Sequence, residues 1–96
     1  MFPEGAQSIL MAALTIAAEG GKADIAKPMH GMGSGVLELA LKLRGDAYRV
    51  VYAVQLANEL WILHAFRKKS RRGIKTPEHE IDLVRDRLKK LKEMLR

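Results

Sequence analysis

The chain contains no cysteine, so neither a disulfide nor a thiolate-bound zinc can brace it. Large rings are scarce: one Trp, two Tyr and two Phe among 96 residues. The core must come mainly from aliphatic packing, in a single domain near the lower end of what one core stabilises unaided. No apolar run reaches the length of a bilayer span. The longest, ILMAALTIAA from Ile9 to Ala18, is about half of the roughly 20 residues such a helix needs. Ahead of it stand Glu4 and no Lys or Arg, so the basic leader of a secretory signal is missing and a cytoplasmic protein is expected.

Other chemistries lack their residues too. His30, His64 and His79 have no paired ligand spacing, which with the absence of Cys argues against a metal site, and nothing suggests a cofactor. Ser8, Ser34 and Ser70 sit outside any nucleophile-elbow context. GMGSG, Gly31 to Gly35, is not followed by the Gly-Lys-Ser/Thr of a phosphate loop and precedes a strand pattern, so it reads as a connector.

What the chain does have is positive charge, unevenly placed. Residues 1–60 carry 5 Lys/Arg against 6 Asp/Glu, and residues 61–96 carry 12 against 5, so the halves stand at −1 and +7. The excess is densest in HAFRKKSRRGIKTP, His64 to Pro77. Such asymmetry favours a polyanionic partner, nucleic acid foremost, over a merely solvated face.

Periodicity divides the chain into a helical segment (3–27), a three-stranded antiparallel sheet (36–66), a basic loop (67–76) and a C-terminal helix (77–96). Ile9, Ala13, Ile16 and Ala17 recur at helical spacing after Pro3 and before Gly20-Gly21, and a second short helix is expected over Lys22 to Ala26. Val36 to Arg44 alternates, with Leu37, Leu39, Leu41 and Leu43 on one face. Gly45 and Asp46 form the expected turn into Ala47 to Gln55, where Tyr48, Val50, Tyr52 and Val54 share a face and Arg49 takes the other. LANE turns into Leu60 to Phe66, whose alternation groups His64 with Leu60, Ile62 and Phe66 as a core histidine. Thr76 and Pro77 supply the N-cap and first residue of the last helix, with Glu78 and Glu80 in its first turn. Its apolar stripe, Ile81, Val84, Leu88, Leu91 and Leu95, is flanked by cations that read as a solvated face. The fold class is α+β.

Arg49 and Lys42 project from the polar face of adjacent strands, and Lys68 and Lys69 emerge where the third strand ends, so the four are expected to converge. RNA cleavage needs little more: a 2′-hydroxyl aligned with its own phosphodiester, and cations on the charge that grows at phosphorus. From pattern alone Arg49 is equally well placed to pair with Glu38.

Phe2-Pro3, Lys27-Pro28, HGMGSGVLEL, AYRVVYAV, LHAFRKKS and KTP, in this order, resemble the phage-derived HigB-like branch of the RelE/ParE toxin superfamily over nearly the whole chain. The resemblance implies the toxin of a bacterial type II toxin–antitoxin pair. The expected fold is a helix or helical hairpin on a small twisted sheet, followed by a C-terminal helix. The expected activity is metal-independent, ribosome-dependent mRNA cleavage, restrained by an antitoxin with a helix-turn-helix domain. By position it makes Arg49, Lys68 and Lys69 catalytic and matches Glu38 to the family's acidic residue. Beside them, Lys42 is the nearest same-face cation and His64 a proton-transfer candidate, both supporting, and Arg67, Arg71, Arg72 and Lys75 of the basic segment are read as binding RNA. Two departures stand out. The family's Glu-Leu-Arg reads Glu38-Leu39-Ala40. The family's strand before Phe-Pro has no counterpart ahead of Phe2-Pro3: either the start is a truncated one, or the sheet is expected to lack an edge, which would invite homodimerisation by strand pairing. The alternative these departures favour is a non-cleaving or ParE-like module that binds an antitoxin or another protein.

Overall fold

The computed structural model describes residues 2–69 and 76–96. In chain order they form α1 (Glu4–Ala18), β1 (Ala26–Pro28), β2 (Val36–Leu43), β3 (Asp46–Leu56), β4 (Glu59–Lys69) and α2 (Glu78–Met94). The strands lie in the order β1-β2-β3-β4, each pair antiparallel. The expected α+β arrangement is present, with one strand more than periodicity revealed.

Helix α1 follows Pro3, which fits just ahead of a first turn because its missing N–H has no intrahelical partner to lose. Ala6, Leu10, Ala13, Leu14 and Ala17 are its buried residues. They pack against Leu39, Tyr48, Val50 and Tyr52 on one sheet face. Val36, Val51, Ala53 and Leu63 on the other face meet Val84, Leu88 and Leu91 of α2. The alternation read in β2 and β3 therefore sorts side chains between two cores, one under each helix.

The expected short helix at Lys22 to Ala26 does not form. Ala26, Lys27 and Pro28 instead pair with Leu39, Glu38 and Leu37 as β1. Proline disfavours helical geometry in the residue before it, and a one-turn helix bonds its backbone poorly, whereas β2 offers a complete ladder. The edge of β2 is thus covered, not open. Ile25 O and Met29 N bond inward to Ala40 and Val36. Pro28 lies at an outward-facing position of the edge and has no donor to offer, which blunts that edge for strand pairing.

Both hairpins use two-residue turns with positive φ at each residue: Arg44 (52°) and Gly45 (85°), then Ala57 (54°) and Asn58 (56°). Asp46, expected in the first turn, is already the first residue of β3. Gly35 has a different constraint: a Cβ there would lie 2.8 Å from the Val54 carbonyl oxygen, so the chain enters β2 at a position only glycine fits.

Strand β4 departs from simple alternation. Val51 pairs with His64 but Tyr52 pairs with Ile62, which leaves Leu63 as the extra residue of a bulge. The face expected to hold Leu60, Ile62, His64 and Phe66 together is therefore split. Leu60 joins the α1 core, Ile62 is 57% exposed, and His64 stacks on Phe66 on the α2 side. The strand also runs beyond Phe66. Arg67, Lys68 and Lys69, expected in a loop, pair with Tyr48, Ala47 and Asp46, because β3 starts early enough to offer each of them a partner backbone.

No helix among the described residues is long and apolar enough to cross a membrane. Leu39, fully buried, anchors the α1 core. Leu39→Ala is expected to cost about 2–5 kcal/mol in urea unfolding, against a change within about 0.5 kcal/mol for Ile62→Ala at the exposed side of the bulge. Burial also pushes the Tyr52 phenol above its ordinary 10.0. The unfolded chain then ionises first as pH rises, so stability complete below 10.0 is lost as pH climbs through the raised folded value. Denaturation across an alkaline pH series should show this decline, and Tyr52→Phe should flatten it.

Candidate functional site

The α2-facing side of the sheet can be followed rung by rung. Lys42, Ala47 and Lys68 lie opposite one another near the first hairpin; Ala40, Arg49 and Phe66 form the next rung; Lys27, Glu38, Val51 and His64 form the one after. Directly opposed residues share a face, so Lys42 and Lys68 flank Ala47 with about 10 Å between their strands. The small Ala47 between the two cations is buried.

One rung further along the sheet lies a buried polar cluster. Arg49 and Glu38 are only 5% and 4% exposed. The Arg49 guanidinium donates from Nη1 to Glu38 Oε1 at 3.1 Å and to Thr76 Oγ1 at 3.2 Å. The Thr76 hydroxyl in turn donates to Glu38 Oε2 at 2.6 Å. Two strands and the residue leading into α2 are thereby joined through one carboxylate. This accounts for the absence of the expected N-cap. Helix α2 starts after Pro77 with no side-chain cap bond, because the Thr76 hydroxyl is committed to a buried charge.

Residues 1–89 match the family model described as Phage derived protein Gp49-like (DUF891). The chain belongs to that family. The Gp49-like family is part of the RelE/Gp49 toxin family. No curated protein and no solved structure matches the chain.

In this Gp49-like protein His64 serves a different junction. An arginine can only donate, so Nδ1 of His64, 3.1 Å from Arg87 Nη1, is the acceptor. The ring proton then sits on Nε2 and is donated to Glu80 Oε1 at 2.8 Å. Arg87 also donates to the carbonyl oxygen of Leu63, the bulge residue, at 2.8 Å. Both ring nitrogens are thus occupied by α2, and the bulge, by moving His64 to the α2 side, is what lets them reach it. The sequence pattern placed His64 in a core; it is half-buried and polar on both edges.

The remaining expected residues separate. Arg67 is exposed and lies 3.9 Å from Asp46, and its register partner is Tyr48, away from the Lys42–Lys68 rung. Lys69 closes β4 opposite Asp46. Arg71, Arg72 and Lys75 lie outside the described residues. Tyr48 is buried and meets Phe2 edge to face at 5.0 Å, and Trp61 donates its Nε1 proton to Leu56 O at 3.0 Å, so both rings are engaged in packing. Thr76, Glu80 and Arg87 were not singled out for the site. Their signal was weak, since each is an ordinary residue for a helix start or a solvated helix face. Among the described residues no group of three or more His, Asp or Glu is arranged to hold a metal ion.

Arg49→Ala would strand the Glu38 carboxylate in a buried site, and a loss of about 3–5 kcal/mol in chemical denaturation is expected. The apolar pair Glu38→Leu with Arg49→Met, of similar volume, is expected to recover most of that loss. Additive costs in this double-mutant cycle would show that the two side chains do not depend on each other.

Proposed function

We propose that this Gp49-like protein is the toxin of a type II toxin–antitoxin pair and that it cleaves mRNA on the ribosome. The observation that carries the reading is the rung of Lys42, Ala47 and Lys68, which sets two cations on either side of a small residue on one face of the sheet. A phosphodiester lying between Lys42 and Lys68 would be gripped from both sides. Charge developing on its non-bridging oxygens as the 2′-hydroxyl attacks would meet both ammonium groups. Arg49 stands one rung behind, and its guanidinium is held by Glu38 and Thr76. Its part is to position: it keeps the strands and the start of α2 in register beneath the phosphate. Neutralisation by an antitoxin with a helix-turn-helix domain belongs to the same proposal, on the strength of the family.

The second reading, a binding module without cleavage, is favoured by Ala40. It occupies the rung of Arg49, where the family pattern has a second arginine, and leaves one guanidinium in place of two.

Wild type and single variants, matched for folding by circular dichroism, can be compared for mRNA cleavage in a translating extract by primer extension. Lys42→Ala and Lys68→Ala are each expected to slow cleavage by about 10²–10³. Folded wild type that leaves mRNA intact while still binding a cognate antitoxin would replace the nuclease with the binding module.

A further inference from the structure

A cleft of about 510 Å³ opens between the edge strand β1 and the start of α2. Pro28, Met29 and His30, from β1 and the residues after it, line one side, and Glu78 and Ile81 of α2 line the other. The buried Glu38 lines it as well, with both oxygens already accepting, from Arg49 and Thr76. Lys27 stands beside them, on the rung of Glu38. Among the described residues the side chains of Lys27, His30 and Glu78 take part in no hydrogen bond or ion pair, and each is exposed.

This lining selects among ligands. A phosphate would meet the carboxylates of Glu78 and Glu38, and a small cation would meet Lys27. A purely apolar group would make no use of either charge. A nucleobase suits each part. Its flat faces match the apolar surface of Pro28, Met29 and Ile81, and its edge carries both donors and acceptors. Glu78, as a carboxylate, can only accept, and Lys27, as an ammonium, can only donate, so together they read both kinds of group on one edge. Lys27 and Glu38 lie four residues along β2 from Lys42, about 13 Å. That distance is about four nucleotides at the stacked rise of roughly 3.4 Å, and fewer in an extended strand.

We infer that this cleft receives a base of the RNA whose backbone lies between Lys42 and Lys68, and that it prefers a base with an exocyclic amine to uracil. Glu78 accepts from the amine, and Lys27 donates to the ring nitrogen or carbonyl oxygen nearby. Uracil has no amine to give, and its one ring N–H is flanked by carbonyl oxygens that repel the Glu78 carboxylate. The grip of Lys42 and Lys68 on phosphate is indifferent to sequence, so the cleft is where base choice enters. The inference rests on the RNA-binding part of the proposed function and not on cleavage.

The test compares fluorescent hexamers of cytidine and of uridine by anisotropy at one low salt concentration. Both carry 2′-O-methyl groups, so neither offers a nucleophile, and they share backbone charge and ring size. Wild type is expected to bind the cytidine hexamer about tenfold more tightly. Glu78→Ala, checked for folding by circular dichroism, is expected to bring that ratio near one. Glu93→Ala removes the same charge from the far end of α2 and is expected to keep the ratio. In methyl-labelled wild type the Met29 and Ile81 signals should move on addition of the cytidine hexamer, while that of Ile62 on β4 stays in place, and these shifts decide the matter if Glu78→Ala does not fold. Equal affinity of wild type for the two hexamers, binding of neither, or unmoved Met29 and Ile81 signals would overturn the proposal. So would a ratio that survives Glu78→Ala or that Glu93→Ala lowers equally. Discrimination by a protein that leaves mRNA intact in a translating extract would retain the cleft and remove the nuclease reading. Cleavage without discrimination would do the reverse.

Discussion

The structure turns on one buried carboxylate. Glu38 would be unacceptable inside a small protein by itself, and it is tolerated because Arg49 neutralises it and Thr76 satisfies its second oxygen. Those partners come from β3 and from the residue leading into α2, so burying the charge requires all three segments to be in place together. A hydrophobic contact has many near-equivalent geometries. A carboxylate held at 2.6 Å and 3.1 Å by two donors has few.

This constraint separates Arg49 from the lysines on the same face of the sheet. With Arg49 drawn inward and α2 beginning at the rung of Glu38, the rung of Lys42, Ala47 and Lys68 lies beyond the start of the helix. A buried guanidinium and two half-buried or exposed ammonium groups have different work on the same face. The first ties β2, β3 and the start of α2 together, and the second pair flanks Ala47 one rung away. Substitution of Arg49 consequently perturbs the fold itself, which makes the lysines the cleaner probes of the proposed chemistry. The latch of His64, Glu80 and Arg87 has a comparable part at the bulge, where a polar junction rather than apolar packing decides how α2 crosses β4.

Much of this was legible in the residues. The alternation of Leu37, Leu39, Leu41 and Leu43 against Tyr48, Val50, Tyr52 and Val54 named one core side correctly, because a period of two admits only two faces. The pairing of Arg49 with Glu38 was readable as one of two uses of an inward arginine. The bulge at Leu63 was not, since an extra residue in a strand leaves no mark on composition and alternation simply resumes one residue out of phase. Nor was β1: three residues ending in proline carry no periodic signal, and they become a strand only because β2 lies beside them. Thr76 illustrates the same limit. Thr-Pro before two acids reads as a helix cap, and only the approach of Glu38 diverts the hydroxyl.

The amino-acid sequence by itself determined the element types, the two-faced sheet, the concentration of positive charge after residue 60 and the family to which the chain belongs. These are properties of local spacing and composition. The tertiary structure alone decided that Arg49 is buried against Glu38 and Thr76, that Lys42 and Lys68 share a rung with Ala47, and that both ring nitrogens of His64 are taken up by α2. The physical reason is that a charge acts through its distance to other charges and its exposure to water, and both are set by segments far apart in the chain.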